Sequence, residues 1–597
     1  MTGRQSLPPV RFQGELGTEE TTLIDETMEE SRTKSRKLIA LLAALATSAM
    51  GCAGSNPKTF RLSKKTAALV EPAREVVAQV LEANFGRPDA LIAWLELPVR
   101  YGQIEGEVLD SASIPAEERG SRFRVRLAGQ PRSSGETNNA SDSSGGPFAG
   151  LGVLWLTGEH AGKTEFSPTQ VPKGAHVAGF DPVSGVLRLS DSVNPPPQPG
   201  DRFVLVGERL QRGNVLFREN CAECHGITGD GNGPKASGMN PKPRDYRKGV
   251  FKFTSTKPGL KPARADLVRT IQLGIPGTYM PSFEGDLSDE DIDALVEYVR
   301  WLSMRGELEL RWATLLEADY SEQAVKEQSE LVPVETVLED LQEYLKDVFF
   351  PSDVPAETAA VADAWRQADD PASIVVPKRP PNQTHDELVA WFLDHRDRWE
   401  ELLAWYRKHR AALADGQDVS APFPDRVTRL MRIGADLERI VAAAGRSEQE
   451  LRRELQRASL QHGRRLFLGD VLKCASCHGE EGRGDGPQTK ELQMIPGKNE
   501  FYPEPGLYDD WGHKIHPNDL TRGIYRGGKR PIDVYRRIYS GIKGTPMASF
   551  ATTLTDDDDI WDLVRYVLSL SSSRSSPSAS NSARRGHASE DRTGRDD

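Results

Sequence analysis

The chain has 597 residues, too many for one hydrophobic core and enough for about three to four domains. Hydrophobic residues make up 37% and charged residues 27%, the balance of a soluble globular protein with some disordered segments. A net charge of −12 argues against any general affinity for nucleic acid.

The N-terminus reads as an export signal. Arg32, Lys34, Arg36 and Lys37 form a basic patch, and the apolar run "LIALLAALA" follows at 38–46. That run is shorter than the roughly 20 residues a spanning helix needs, and it suits the core of a signal peptide. Small residues lead to Cys52 in "SAMGCAGS", which resembles a bacterial lipobox with Gly51 before the cysteine and Ala49 in place of the usual leucine. Lipidation at Cys52 is therefore expected, and residues 1–27 are polar enough that Met28 is a second candidate start.

Strand-like runs follow: "RFRVRL" (122–127), "GLGVLWL" (150–156), "GVLRL" (185–189) and "RFVLV" (202–206). They predict a small β-rich domain, interrupted at 138–146 by the flexible "NNASDSSGG". His160 and His176 carry no ligand pattern. From 305 to 460 the periodicity turns helical. "VETVLEDLQEYLKDVF" (334–349) and "DELVAWFLDHRDRWEELLAWYRKHRAAL" (386–413) space apolar residues by three and four. Trp391, Trp399 and Trp405 are expected to fill a helical core, and His385, His395 and His409 share the region. A Ser/Arg/Asp-rich tail from 571 reads as disordered.

Two segments on either side of this helical middle match in order. "LQRGNVLF" (210–217) corresponds to "LQHGRRLF" (460–467), "CAECHG" (221–226) to "CASCHG" (474–479), and "GDGNGP" (229–234) to "GRGDGP" (482–487). "PRDYRKGVF" (243–251) then corresponds to "PNDLTRGIY" (517–525), and "DLVRTIQLGIPGTYMPSF" (266–283) to "DVYRRIYSGIKGTPMASF" (533–550). The apolar helices "IDALVEYV" (292–299) and "IWDLVRYV" (560–567) close the two copies. The second copy alone carries an insertion at 495–516, with His513 and His516.

Four of the five cysteines lie in the two C-x-x-C-H words. Two cysteines at that spacing can bond one porphyrin through its vinyl groups while the following histidine ligates the iron. With five cysteines and eleven histidines, chance would supply about 0.0008 such words, so the pattern is chemical. A shared zinc site, a thioredoxin-like dithiol and a disulfide are the rival readings. The repeat opposes the first, the missing βαβ context the second, and the adjacent histidines the third. Two covalently bound haem c groups are expected, held by Cys221, Cys224 and His225 and by Cys474, Cys477 and His478. The second axial ligands are expected at Met280 and Met547, which occupy matching positions, unlike Met239 and Met494. His513 or His516 is the alternative to Met547.

Each copy resembles a bacterial class I cytochrome c domain, over about 210–303 and 460–570. The resemblance implies that first and last helices cross closely, with Gly213 and Phe217 against Tyr298 and Gly463 and Phe467 against Tyr566. The expected architecture is multidomain: two all-α class I cytochrome c domains, a helical middle region and a small β-rich N-terminal domain. The expected boundaries are a leader at 1–52, a β-rich domain at 53–206, cytochrome domains at 207–304 and 458–570, a helical linker at 305–457 and a tail at 571–597.

Basic stretches at 235–269 and 511–543 raise the prospect of a docking face for an acidic redox partner. The expected function is electron transfer in the periplasm or cell envelope, as a carrier or as the cytochrome subunit of a respiratory oxidase or dehydrogenase. A lipid anchor to the membrane, a redox protein as partner and no nucleic acid complete the expectation. The competing classes are a dihaem peroxidase-like enzyme and a haem-based sensor.

Overall fold

The computed structural model describes residues 59–110, 112–128, 148–158, 176–414, 417 and 419–572. The basic patch, the apolar run, Cys52, the segment 138–146, His160 and the tail beyond 572 lie outside them.

Helix α1 (Glu71–Phe85) begins with a proline in its first turn and buries Ala73, Val77, Leu81 and Phe85 on one side. It leads to a six-stranded antiparallel sheet of β1 (Gln103–Val108), β2 (Arg122–Leu127), β3 (Gly152–Trp155), β4 (Val177–Asp181), β5 (Val186–Leu189) and β6 (Arg202–Val206). The strand order across the sheet is β3–β6–β1–β2–β5–β4. Period-two burial is plain in β2, where Phe123 and Val125 point inward between exposed arginines.

Strands β1 and β4 lack the apolar enrichment of the other four, which is why the sequence does not reveal them. Gly106 interrupts β1 because the Phe203 ring of the neighbouring strand lies where its Cβ would be. Strand β6 serves two cores. Phe203 and Leu205 pack into the sheet's own core, while Val204 and Val206 face the first repeat.

The first repeat runs through helices α2 (Glu208–Asn220), α3 (Arg264–Leu273) and α4 (Asp289–Tyr320). Helix α4 is 32 residues long and continues past the boundary expected at 304. It is buried on nearly every side because α1, α2 and the helix Val354–Ala368 cover different faces. Its buried charges are paired: Glu297 with Arg264, Arg300 with Asp369, and Arg305 with Glu309. Residues 60–101 therefore share the core of the first repeat, not that of the sheet; Phe85 stands edge-on to both Trp94 and Trp301 at 5.3 Å.

The helical middle also divides. Val334–Tyr344, a π-helical turn over Leu345–Asp353 that contains Pro351, and Val354–Ala368 join the first repeat's core. The helices from Gln383 to Ala444, with the first half of α5 (Glu448–Leu468), make a separate core around Phe392, Leu402, Leu437 and Leu451. Trp391, Trp399 and Trp405 pack against it. The expected helix over 386–413 is broken at His395. There the imidazole Nδ1 lies 3.0 Å from the Trp391 carbonyl and the Trp399 indole donates to the Phe392 carbonyl, so side chains satisfy the last turn and let the chain bend.

The second repeat comprises the end of α5, α6 (Pro531–Ser540) and α7 (Asp557–Ser572), around Phe467, Tyr535, Trp561 and Tyr566. Among the described residues no helix is long and apolar enough to cross a membrane.

Candidate functional site

Helix crossing sets the frame of each site. Gly213 of α2 lies so close to the Ala294 carbonyl and Tyr298 of α4 that no Cβ would fit, and Gly463 of α5 meets Asp562 and Tyr566 of α7 in the same way. The rings of Phe217 and Tyr298 then sit 5.2 Å apart, and those of Phe467 and Tyr566 5.4 Å. The crossing residues anticipated from the sequence all make their contacts.

The C-x-x-C-H words form short helical turns, Ala222–His225 and Cys474–His478. Each ends at a glycine with φ near +74°, Gly226 and Gly479, which turns the chain sharply. The glycine-rich loop then folds back: Gly231 and Gly233 donate to the carbonyls of His225 and Cys224, and Gly484 and Gly486 to those of His478 and Cys477.

His225 is 8% exposed, and its Nδ1 lies 3.0 Å from the Arg244 carbonyl. A carbonyl accepts only, so Nδ1 carries the proton and Nε2 keeps its lone pair. That is how proteins orient an imidazole for metal ligation. His478 repeats the arrangement at 3.4 Å from the Asn518 carbonyl. Burial pushes the His225 imidazole down to about 4 and lowers His478 as well, so both remain neutral. The Tyr246 ring stacks on His225 at 4.8 Å, and Leu520 occupies the matching position in the second repeat.

The methionine loops are equally alike. Thr278 Oγ1 accepts from the backbone of Met280 and Thr545 Oγ1 from that of Met547. The Met280 carbonyl accepts from Ile275 and the Met547 carbonyl from Ile542. Sequence reasoning misses these threonines, although the shared "GT" before each methionine is the signal that could have found them.

Cys221, Cys224, His225 and Met280 open onto the same continuous cavity, of about 590 Å³, as Cys474, Cys477, His478 and Met547. The repeats meet there in a roughly reciprocal way. Gly277 of the first methionine loop faces Ile524, and Gly544 of the second faces Val250, the residue equivalent to Ile524. Arg537 donates to the Thr254 carbonyl at 2.7 Å, and Arg269 to the Gly527 carbonyl at 2.9 Å.

The donor set fits haem: paired thiols, an oriented neutral imidazole and a thioether around apolar walls that include Leu267, Phe283, Val534 and Phe550. It does not fit the rivals. Burial pushes the Cys221 thiol up to about 12 and Cys474 to about 11, opposite to the depressed thiol of a redox-active dithiol. The trio of metal-capable side chains found among the described residues is His462, Asp559 and Asp562, which includes none of the four cysteines, and Arg429 already pairs with both carboxylates.

Residues 208–299 match the family model described as cytochrome c oxidase, cbb3-type, subunit III, and residues 460–571 match the model described as cytochrome c. The chain carries two cytochrome c domains. Such domains imply covalently bound haem c and haem-based electron transfer. No curated protein matches the chain significantly. A solved structure, the Kuenenia stuttgartiensis reducing HAO-like protein complex, is 24% identical over 60% of this chain and 96% of that one, with a TM-score of 0.32, too distant a likeness to bear on fold or function.

Within the cytochrome domains part of each basic stretch is engaged internally. Arg247 pairs with Asp245, Lys261 with Glu307, Arg264 with Glu297, and Arg269 with Asp533. Lys252 pairs with Asp509 across the two domains, and Lys543 reaches Thr256 and Leu260. These cations build the protein's interior contacts, whereas Lys235, Lys242, Lys257, Arg522, Lys529 and Arg530 of the same stretches are exposed. Of the insertion's histidines, His516 lines the shared cavity and His513 lies beside Asp509. Met239 also lines the cavity, whereas Met494 is exposed.

Proposed function

We propose that the chain is a dihaem electron-transfer protein of the cell envelope, acting as a carrier or as the cytochrome subunit of a respiratory oxidase or dehydrogenase. The observation that supports it best is that both C-x-x-C-H words and both methionines open onto one cavity. Each domain takes the class I arrangement. Cys221 and Cys224 would hold one haem, with His225 and Met280 to ligate its iron, and Cys474 and Cys477 would hold the second, with His478 and Met547. Haem, when bound, supplies an iron that exchanges single electrons. The chain orients His225 and His478 through backbone carbonyls, places the thioethers with the two threonines, and excludes bulk water with aromatic and aliphatic walls.

A soft thioether ligand would favour the reduced iron, and histidine and methionine together would leave no position for substrate. That weighs against the peroxidase-like and sensor readings. Export, lipidation at Cys52 and a periplasmic location rest on residues 32–52, and the partner is a redox protein of the same compartment.

Acid–solvent extraction tests the reading. Two haems per chain should stay with the polypeptide, and the reduced protein should pass electrons to a soluble c-type cytochrome. Extractable haem, one haem per chain, or rapid peroxide turnover by the reduced protein would sink it.

A further inference from the structure

The insertion at 495–516 has no counterpart in the first repeat, and it reaches across to that repeat. The Arg244 guanidinium lies 3.8 Å from the centre of the Trp511 ring. Lys248 Nζ stands 5.2 Å from the same ring and also donates to the Asp510 carbonyl. Asp509, with a side chain only 5% exposed, takes Lys252 Nζ at 3.1 Å through one oxygen. Its other oxygen accepts from the backbone of Trp511 and His513 at 3.1 and 3.0 Å, which fixes the turn that presents the indole. Arg244, Lys248 and Lys252 all belong to the loop that follows the first haem word, and Arg244 supplies the carbonyl that orients His225.

The edge of the indole's six-membered ring, at Cζ3 and Cη2, meets the second site. Gly544 lies so close to the Trp511 ring that a Cβ there would collide with it. The Asp510 amide donates to the Gly544 carbonyl at 3.1 Å. Gly544 stands three residues before Met547, in the loop that Thr545 holds. One indole is thus wedged between the loop behind the first site's histidine and the loop carrying the second site's methionine. On the reciprocal face, among the described residues, a Cβ at Gly277 would meet Ile524 and no aromatic ring.

We propose that Trp511, set by Asp509, is a positioning residue that couples the two redox sites, holding Arg244 beneath His225 and the Gly544 loop behind Met547. The shorter contact of His225 to its carbonyl, 3.0 Å against 3.4 Å for His478, accords with a clamp on the first site only. A firm hydrogen bond at Nδ1 makes the imidazole a stronger donor to iron, which favours the oxidised state. Releasing Arg244 therefore raises the first site's midpoint potential. The inference rests on the axial assignments proposed above.

The test uses the full-length holoprotein in two backgrounds, each reporting one site. Met547→Ala leaves the first site as the low-spin signal in paramagnetic resonance, and Met280→Ala leaves the second. Trp511→Ala should raise the midpoint of the first site, by up to tenfold in the reduction equilibrium (about 59 mV for one electron). It should also shift the low-spin signal of the second. Trp511→Phe keeps a ring in the wedge and should restore both. Asp509→Asn, which leaves the indole in place but weakens its turn, should give smaller shifts in the same sense. If either methionine variant fails to remove one low-spin signal, the ligand assignment falls. If both do so and Trp511→Ala leaves one or both sites unmoved, the coupling is overturned.

Discussion

Met280 and Met547 show how much of each site is set by single residues. Both sit in the same frame of a threonine side chain before them and an isoleucine amide that turns the loop. Removing one thioether should convert that iron to a high-spin state, halve the methionine–iron charge-transfer absorption and lower that site's potential. An unchanged spectrum in either alanine variant would show that another residue ligates.

His385 governs a different property. Burial pushes its imidazole down to about 4 from an ordinary 6.5, with Arg565 adding to the effect and Asp562 opposing it. The unfolded chain binds this proton first, so the stability contributed by neutral His385 is complete above pH 6.5 and is lost as pH falls toward 4. His385→Gln should therefore flatten the decline of melting temperature between those pH values. A slope identical to that of the unmodified protein would refute this.

Residue words are the most legible level of the sequence. The paired cysteines, the histidines and the methionines can be picked out because two copies of one pattern align with each other, and all of them line the cavity. The carbonyls of Arg244 and Asn518 are not legible, since a backbone acceptor leaves no side-chain signature.

At the scale of elements, the crossings of α2 with α4 and of α5 with α7 decide whether each site forms. Gly213→Ala would force a methyl group against a carbonyl of the facing helix, and overpacking of that kind costs about 1–3 kcal/mol. Gly463→Ala should cost a similar amount, each read as a lowered denaturation midpoint of its own domain. A neutral effect at either position would mean that the helices can separate without penalty.

The crossings are predictable because glycine and an aromatic residue recur four apart in both copies. Two strands escape because their stability comes from neighbours: Gly106 in β1 is filled by Phe203, and β4 carries a register shift between Val177 and Gly179. The break at His395 escapes because the apolar spacing runs on through it, while the capping is done by side-chain hydrogen bonds.

At the scale of the whole molecule, the domain borders drawn from composition move. Helix α4 passes through one, residues 60–101 cross another to join the first cytochrome domain, and the helical middle is shared between two cores. Long-range packing of this kind has no local periodicity to announce it. The insertion gives no hint of its destination either, since the contact of Trp511 with Arg244 joins residues far apart in the chain. The molecule proposed here has two haem sites on one cavity, each closed by a histidine and a methionine. The decisive experiment is a redox titration of the holoprotein followed by optical and paramagnetic resonance spectra. Two low-spin haems are expected, both with the methionine–iron charge-transfer band in the oxidised state; a high-spin or bis-histidine component in the unmodified protein would contradict the paired histidine–methionine ligation.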